Sequence, residues 1–253
     1  MNTRQQQVVR SVSVGLLSAS VALFPGCGGG GGGGSGNTSN PSMISIAGTA
    51  ATGKALAGAT ISIDCARGSM SVAADANGSY HATFGAAMPC MIAATSGGTM
   101  LHSAAFAGGT YNVTPETDLL LSYLAAQLGT NESGLIAGFA TNMQFQQTLQ
   151  NQTDVLTAQA AVVQNLQQKY GVTLSTPNFL TTAFTAGQPG EDSDLEALFT
   201  LGAIDTNGEP DAAAVSLMAT MGAAHPIAIS PGTGTSGNGG TGVGGTGSTG
   251  GVM

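Results

Sequence analysis

"ATISIDC" (residues 59–65) and "CMIAATS" (residues 90–96) decide the fold. In the first, Ile61 and Ile63 share parity with Cys65; in the second, Cys90 shares parity with Ile92. Alternate residues of a strand face one side, so both cysteines point into a single apolar interior. An even pair of thiols in an exported chain reads as a disulfide, here closing a roughly 25-residue loop for about 3 kcal/mol. The other reading is a pair of buried free thiols.

Outward from these two runs, residues 43–113 alternate throughout. "MISIAGT", "SMSVAAD", "GSYHATF", "MLHSAAF" and "TYNVT" complete a set of seven short strands, separated by turn signals such as "ATGKALAG", "ANGS" and "SGGT". Seven strands about ten residues apart suggest a small antiparallel β-sandwich. In "DANGSYHATF" (residues 75–84), Asn77 and Gly78 favour a tight hairpin turn, and Tyr80, Ala82 and Phe84 then share one face.

The texture changes after Tyr111. In "NVTPETDLLLSYLAAQLG", Thr114 is placed as an N-cap, Pro115 at the first helical position, Glu116 and Asp118 in the first turn, and Gly129 at the stop. Leu120, Tyr123, Leu124 and Leu128 follow helical spacing, and so do Val155, Val162, Leu166 and Tyr170 before Gly171. Shorter patterns at "DSDLEALFTLG" and "PDAAAVSLMATMG" complete a small α-helical bundle over residues 114–226. The fold class is therefore α+β, with a sandwich followed by helices. Residues 227–253, rich in Gly, Thr and Ser without apolar periodicity, read as a disordered tail.

At the other end stand Arg4 and Arg10, an apolar run from Val12 to Phe24, and then "PGCGGGGGGG". A positive start, a short apolar middle and a small residue at the cut make residues 1–26 a signal peptide. The apolar run falls short of the roughly 20 residues a bilayer-spanning helix needs, and it ends in Pro25 and Gly26. With Gly26 before Cys27, this start resembles that of bacterial lipoproteins, although Phe24 and Pro25 stand where such chains usually carry Leu and a small residue. The resemblance implies cleavage between Gly26 and Cys27 and a lipidated Cys27. Each buried methylene contributes about 0.8 kcal/mol, so two or three acyl chains hold a protein firmly. The rest of residues 27–42, mostly Gly, Ser, Asn and Thr, forms a flexible tether spanning roughly 20 Å. In lipoproteins generally, a residue other than Asp after the lipidated cysteine lets the protein leave the inner membrane. Gly28 fits an outer-membrane location.

A second resemblance lies in "IAGTAATGKALAGATISI" and "SVAADANGSYHATF". Gly48, Gly53, Leu56, Gly58, Ala59, Asp75, Gly78 and Tyr80 stand where the carboxypeptidase-regulatory-like domain, a transthyretin-like sandwich, carries its pattern. The resemblance covers about 50 residues and implies a non-catalytic fold. "NVTPETDLL" and "NFLTTAFTAGQPGEDSDLEALF" are similar to segments of Gly-rich proteobacterial lipoproteins that pair a small sandwich with helices.

Charge narrows the partners. Arg4 and Arg10 leave with the signal, so three basic residues remain against 13 acids, a net charge of −10. No basic patch suits nucleic acid or anionic headgroups, so the membrane is reached through lipid.

The candidate chemical residues are few. His81, His102 and His225 are far apart in sequence and lack metal spacing, and His81 and His102 fall in strands as core-edge or solvent-facing residues. "GNGGTG", with Gly237, Gly239 and Gly242, matches a dinucleotide pattern but sits in the tail without strand or helix. Residues 191–211 hold seven of the 13 acids. Asp205, Asn207, Glu209 and Asp211 alternate like calcium ligands, but lack the order of an EF-hand loop; Asn207-Gly208 reads as a turn, and Glu191 to Glu196 as the first turn of a helix.

No catalytic residue, metal or cofactor is expected from this pattern. The expected function is a lipid-anchored envelope protein with a structural or protein-binding role. The alternative is a binding module for a small ligand or glycan at the junction of sandwich and helices. An enzyme would require a polar cleft that gathers His81 or His102 with acids distant in sequence.

Overall fold

The computed structural model describes residues 41–227. Residues 1–40, which carry the expected signal peptide, Cys27 and most of the expected tether, and residues 228–253, the expected tail, lie outside the described residues.

Among the described residues seven strands come first: β1 (Met43–Thr49), β2 (Thr60–Arg67), β3 (Ser69–Ala73), β4 (Ser79–Gly85), β5 (Ala87–Ser96), β6 (Thr99–Ala105) and β7 (Gly109–Thr110). They form a sandwich-like pair of sheets, β4-β1-β7 and β3-β2-β5-β6. The pairing is antiparallel except between β1 and β7, which run parallel. That exception departs from the expected all-antiparallel arrangement. It arises because residues 106–113 pass alongside β1 instead of turning back on β6: the Tyr111 amide donates to the Ala47 carbonyl at 2.7 Å, and the Val113 amide to that of Thr49 at 2.9 Å.

Alternation places the core. Ile61, Ile63, Ile92 and Leu101 are fully buried, and Tyr80, Ala82 and Phe84 point inward along β4. The β4 hairpin is set by Asp75, whose carboxylate accepts the amides of Asn77 and Ser79 at 2.8 and 2.9 Å while Gly78 takes φ of 76°. Cys65 and Cys90 stand opposite one another in the β2–β5 register with their sulfurs bonded.

Gly48 has a different purpose. A Cβ there would lie 1.8 Å from the Tyr111 carbonyl oxygen, so only a bare backbone lets residues 109–113 run beside β1. The same oxygen accepts the Tyr80 hydroxyl at 2.6 Å. Gly48 and Tyr80, far apart in sequence, thus meet on one peptide group.

Six helices follow among the described residues: α1 (Pro115–Gln127), α2 (Glu132–Gly138), α3 (Met143–Gln150), α4 (Gln152–Tyr170), α5 (Glu191–Thr200) and α6 (Ala212–Ala223). Asn131, Asn142, Asn151 and Asp211 cap four of them by accepting first-turn amides, and α4 ends on Gly171 at φ 70°. Every residue of α1 from Pro115 to Ala126 is buried, because β6 covers one side and α2, α4 and α6 cover others. At the α1–α6 crossing, a Cβ on Gly222 would lie 2.3 Å from the Tyr123 carbonyl oxygen, so the two backbones nearly touch. Strands and helices bury their apolar faces in one common core.

Candidate functional site

The site begins at the free edge of β6. An edge strand exposes unpaired amides, and here carboxylates cover them. The Met100 amide donates to Glu209 Oε1 at 2.9 Å, and the His102 amide donates to Asp118 Oδ1 at 2.7 Å. Thr117 Oγ1 adds a third tie by donating to the His102 carbonyl at 2.6 Å.

These contacts fix helix α1 against the strand, and the spacing on α1 supplies the next pair. Asp118 and Ser122 are four residues apart and share one helix face. Gly129, at φ 74°, ends the chain's run through α1, and Asn131 starts α2 by accepting the Gly134 amide at 2.8 Å. Glu132, first residue of α2, is thereby set beside α1, where its Oε2 accepts the Ser122 hydroxyl.

Three elements now converge on one imidazole. His102 Nδ1 lies 3.0 Å from Asp118 Oδ1 and 3.6 Å from Glu132 Oε1. Burial works against a charged imidazole, but the hydrogen bonds and charges of Asp118 and Glu132 outweigh it and push His102 up to about 9. Burial raises the Asp118 carboxyl well above the usual carboxylate range, although the His102 bond opposes it. Glu132 is held below its usual range: burial acts upward, and the bonds to His102, Asp118 and Ser122 prevail.

The group lines a cavity of about 390 Å³ between β6, α1, α2 and α6, with Glu209, Ile136 and Val215 among its walls. His102, Asp118 and Glu132 each offer one ligand atom, all within 4.8 Å of one another, and they form the one such group among the described residues. An imidazole and two carboxylates at that spacing suit a cation. A second cavity of about 410 Å³ lies between the loop at Thr52–Lys54 and α5, lined by Lys54, Glu196, Phe199 and Asn207.

The other candidates disperse. His81 is exposed, with Nε2 2.9 Å from Ser45 Oγ, and His225 Nδ1 lies 2.9 Å from the Met221 carbonyl. Asp205 accepts the amides of Asn207 and Glu209, while Asp211 caps α6, so these carboxylates serve the turn and the helix start. The first turn of α5 is acidic, but its acids are buried: Glu191, Asp192 and Asp194 are each at most 5% exposed. Asp194 accepts the amides of Ser175 and Thr176 at 2.9 and 2.8 Å. Gly26, Cys27 and the tail motif lie outside the described residues, as does everything else before residue 41.

Sequence reasoning took His102, together with His81, for a core-edge or solvent-facing histidine and missed its partners. Asp118 read as a first-turn acid and Glu132 attracted no notice. The available signal was in "MLHSAAF", where Leu101, Ser103, Ala104 and Ala105 are all buried. Apolar or small residues on both parities mark a strand covered on both faces, and hence a histidine within reach of whatever covers it. Among the described residues no helix is long and apolar enough to cross a membrane. No family model, curated protein or solved structure matches this chain, so its own geometry is the ground for any functional reading.

Proposed function

We propose that this chain is a non-catalytic, lipid-anchored protein of the cell envelope, attached through Cys27 and held off the outer membrane by its Gly-rich segment. In this reading residues 43–113 are a carboxypeptidase-regulatory-like sandwich, and residues 114–226 are a small helical bundle beside it. The meeting of Gly48 and Tyr80 at the Tyr111 carbonyl supports the first assignment, since both positions belong to that family's pattern. Attachment is tested by metabolic labelling with palmitate, which should enter the natural chain and not Cys27→Ser; equal labelling of both refutes it.

The broader role is structural or protein-binding. One observation favours the alternative, a binding module for a small ligand: the cavity of about 390 Å³ at the junction of sheet and helices, where His102, Asp118 and Glu132 converge. The net charge of −10 after cleavage favours a cationic ligand over an anionic one. Melting temperature measured across a panel of cations, amines and cell-wall sugars should rise for at least one class. A flat panel overturns the ligand reading and leaves the anchor reading standing.

A further inference from the structure

We infer that the cavity holds a divalent transition-metal ion, bound by His102 Nδ1, Asp118 and Glu132. The inference rests on the ligand-module reading and names its ligand. Its first support is spacing. Ligand atoms about 2.0–2.1 Å from a tetrahedral ion are about 3.4 Å apart. The observed separations from Nδ1, 3.0 Å to Asp118 Oδ1 and 3.6 Å to Glu132 Oε1, bracket that edge. The third pair lies within the same 4.8 Å limit.

The second support is the way each ligand is held. His102 sits on a strand whose edge is tied to α1 through its own amide and carbonyl. Glu132 commits Oε2 to the Ser122 hydroxyl, which leaves Oε1 turned toward the imidazole. Ligands oriented by outer hydrogen bonds in this manner are characteristic of metal centres. The three come from β6, α1 and α2, so an ion adds a further link to the hydrogen bonds that already tie these elements.

Donor chemistry selects the metal. Calcium takes six or more oxygens and magnesium keeps much of its water, whereas an imidazole nitrogen with two carboxylates suits zinc, manganese or iron. Three protein ligands facing a cavity leave a coordination position for water or a second ligand. On binding, the ion replaces the Nδ1 proton, which leaves to solvent.

The test uses the full mature chain in detergent, freed of metal by chelation and titrated at pH 8 with zinc and, separately, with cobalt, calcium and magnesium. One zinc per chain should bind, with a rise in melting temperature, and cobalt should give the visible absorption of a low-coordinate site. Calcium and magnesium should bind at least tenfold more weakly. Zinc affinity should fall at least tenfold in His102→Gln and Glu132→Gln, fall about tenfold in Ser122→Ala, and remain unchanged in His81→Ala. Circular dichroism establishes that each variant is folded, and Ser122→Ala keeps the test available if His102→Gln is not. No zinc binding, or zinc binding indifferent to all three site variants, overturns the inference. A sugar or amine that raises the melting temperature of metal-free chain would then preserve the module while removing the metal.

Discussion

Glu116, in the first turn of α1, and Glu191, the first residue of α5, are both buried, and the charge of Glu191 disfavours ionisation of Glu116. Neither carboxyl has a hydrogen-bond partner among the described residues. Two carboxyls in such a place share a proton, because burial and mutual repulsion both disfavour a second charge. Glu116 is raised well above the usual range by burial and by Glu191, while burial raises Glu191 to about 7, with the Glu116 carboxyl acting against it.

This pair predicts the direction of pH dependence. The folded chain keeps a proton that the unfolded chain releases near the ordinary glutamate value, so stability is greatest below about 4.5 and is lost as pH rises through about 7. The loss is on the order of 3 kcal/mol. Melting temperatures of the natural chain should fall between pH 5 and pH 8, and Glu191→Gln should flatten that slope. An unchanged slope would show that the pair does not hold its proton.

The close approach at Gly48 predicts a large effect from one methyl group. Gly48→Ala drives Cβ into the Tyr111 carbonyl, and should destabilise the chain by about 2 kcal/mol or more in chemical denaturation. Tyr80→Phe removes only the hydroxyl that this carbonyl accepts, and should cost about 1 kcal/mol. The order of the two effects is the measurement that matters.

Asn112 offers a third test. It is fully buried; its Nδ2 donates to the carbonyls of Phe179 and Thr182 at 2.7 Å each, and its Oδ1 accepts the Thr49 amide at 3.2 Å. Asn112→Ala leaves those groups without partners, at about 2–3 kcal/mol. Because two of the three lie in the segment between α4 and α5, limited proteolysis should cut residues 171–190 faster in the variant.

The Cys65–Cys90 bond predicts redox sensitivity. Its partners are 25 residues apart, so breaking the bond releases a loop whose closure is worth about 3 kcal/mol. Denaturation midpoints with and without reductant should differ for the natural chain and coincide for a Cys65→Ser, Cys90→Ser double variant.

How much of this was legible in the sequence depends on distance along the chain. The alternation of β2 and β5, the start and stop of α1 and the stop of α4 were readable, since strand parity and caps are local. The parallel β1–β7 pair was not, because it involves two residues and a partner more than 60 positions away. Helices α2 and α3, of seven and eight residues, are too short for apolar periodicity, and Asn131 and Asn142 were their main marks. The site was half visible. His102 drew attention, but Asp118 and Glu132 reach it only because α1 docks on the edge of β6, a tertiary event with no local signature. Glu116 and Glu191 looked like ordinary first-turn acids for the same reason: the helix termini that carry them turn inward.

The tie between Thr117 Oγ1 and the His102 carbonyl bears on how such a chain can be recombined. It joins the last long strand to a helix enclosed on every side, so a crossover between two parental genes at residues 106–114 would separate groups that close each other's surfaces. A crossover near residues 139–142 would part α1 from α4 and α6 as well, including the close approach of Gly222 to the Tyr123 carbonyl. In a chimera library, survivors should inherit residues 43–223 from one parent as a block.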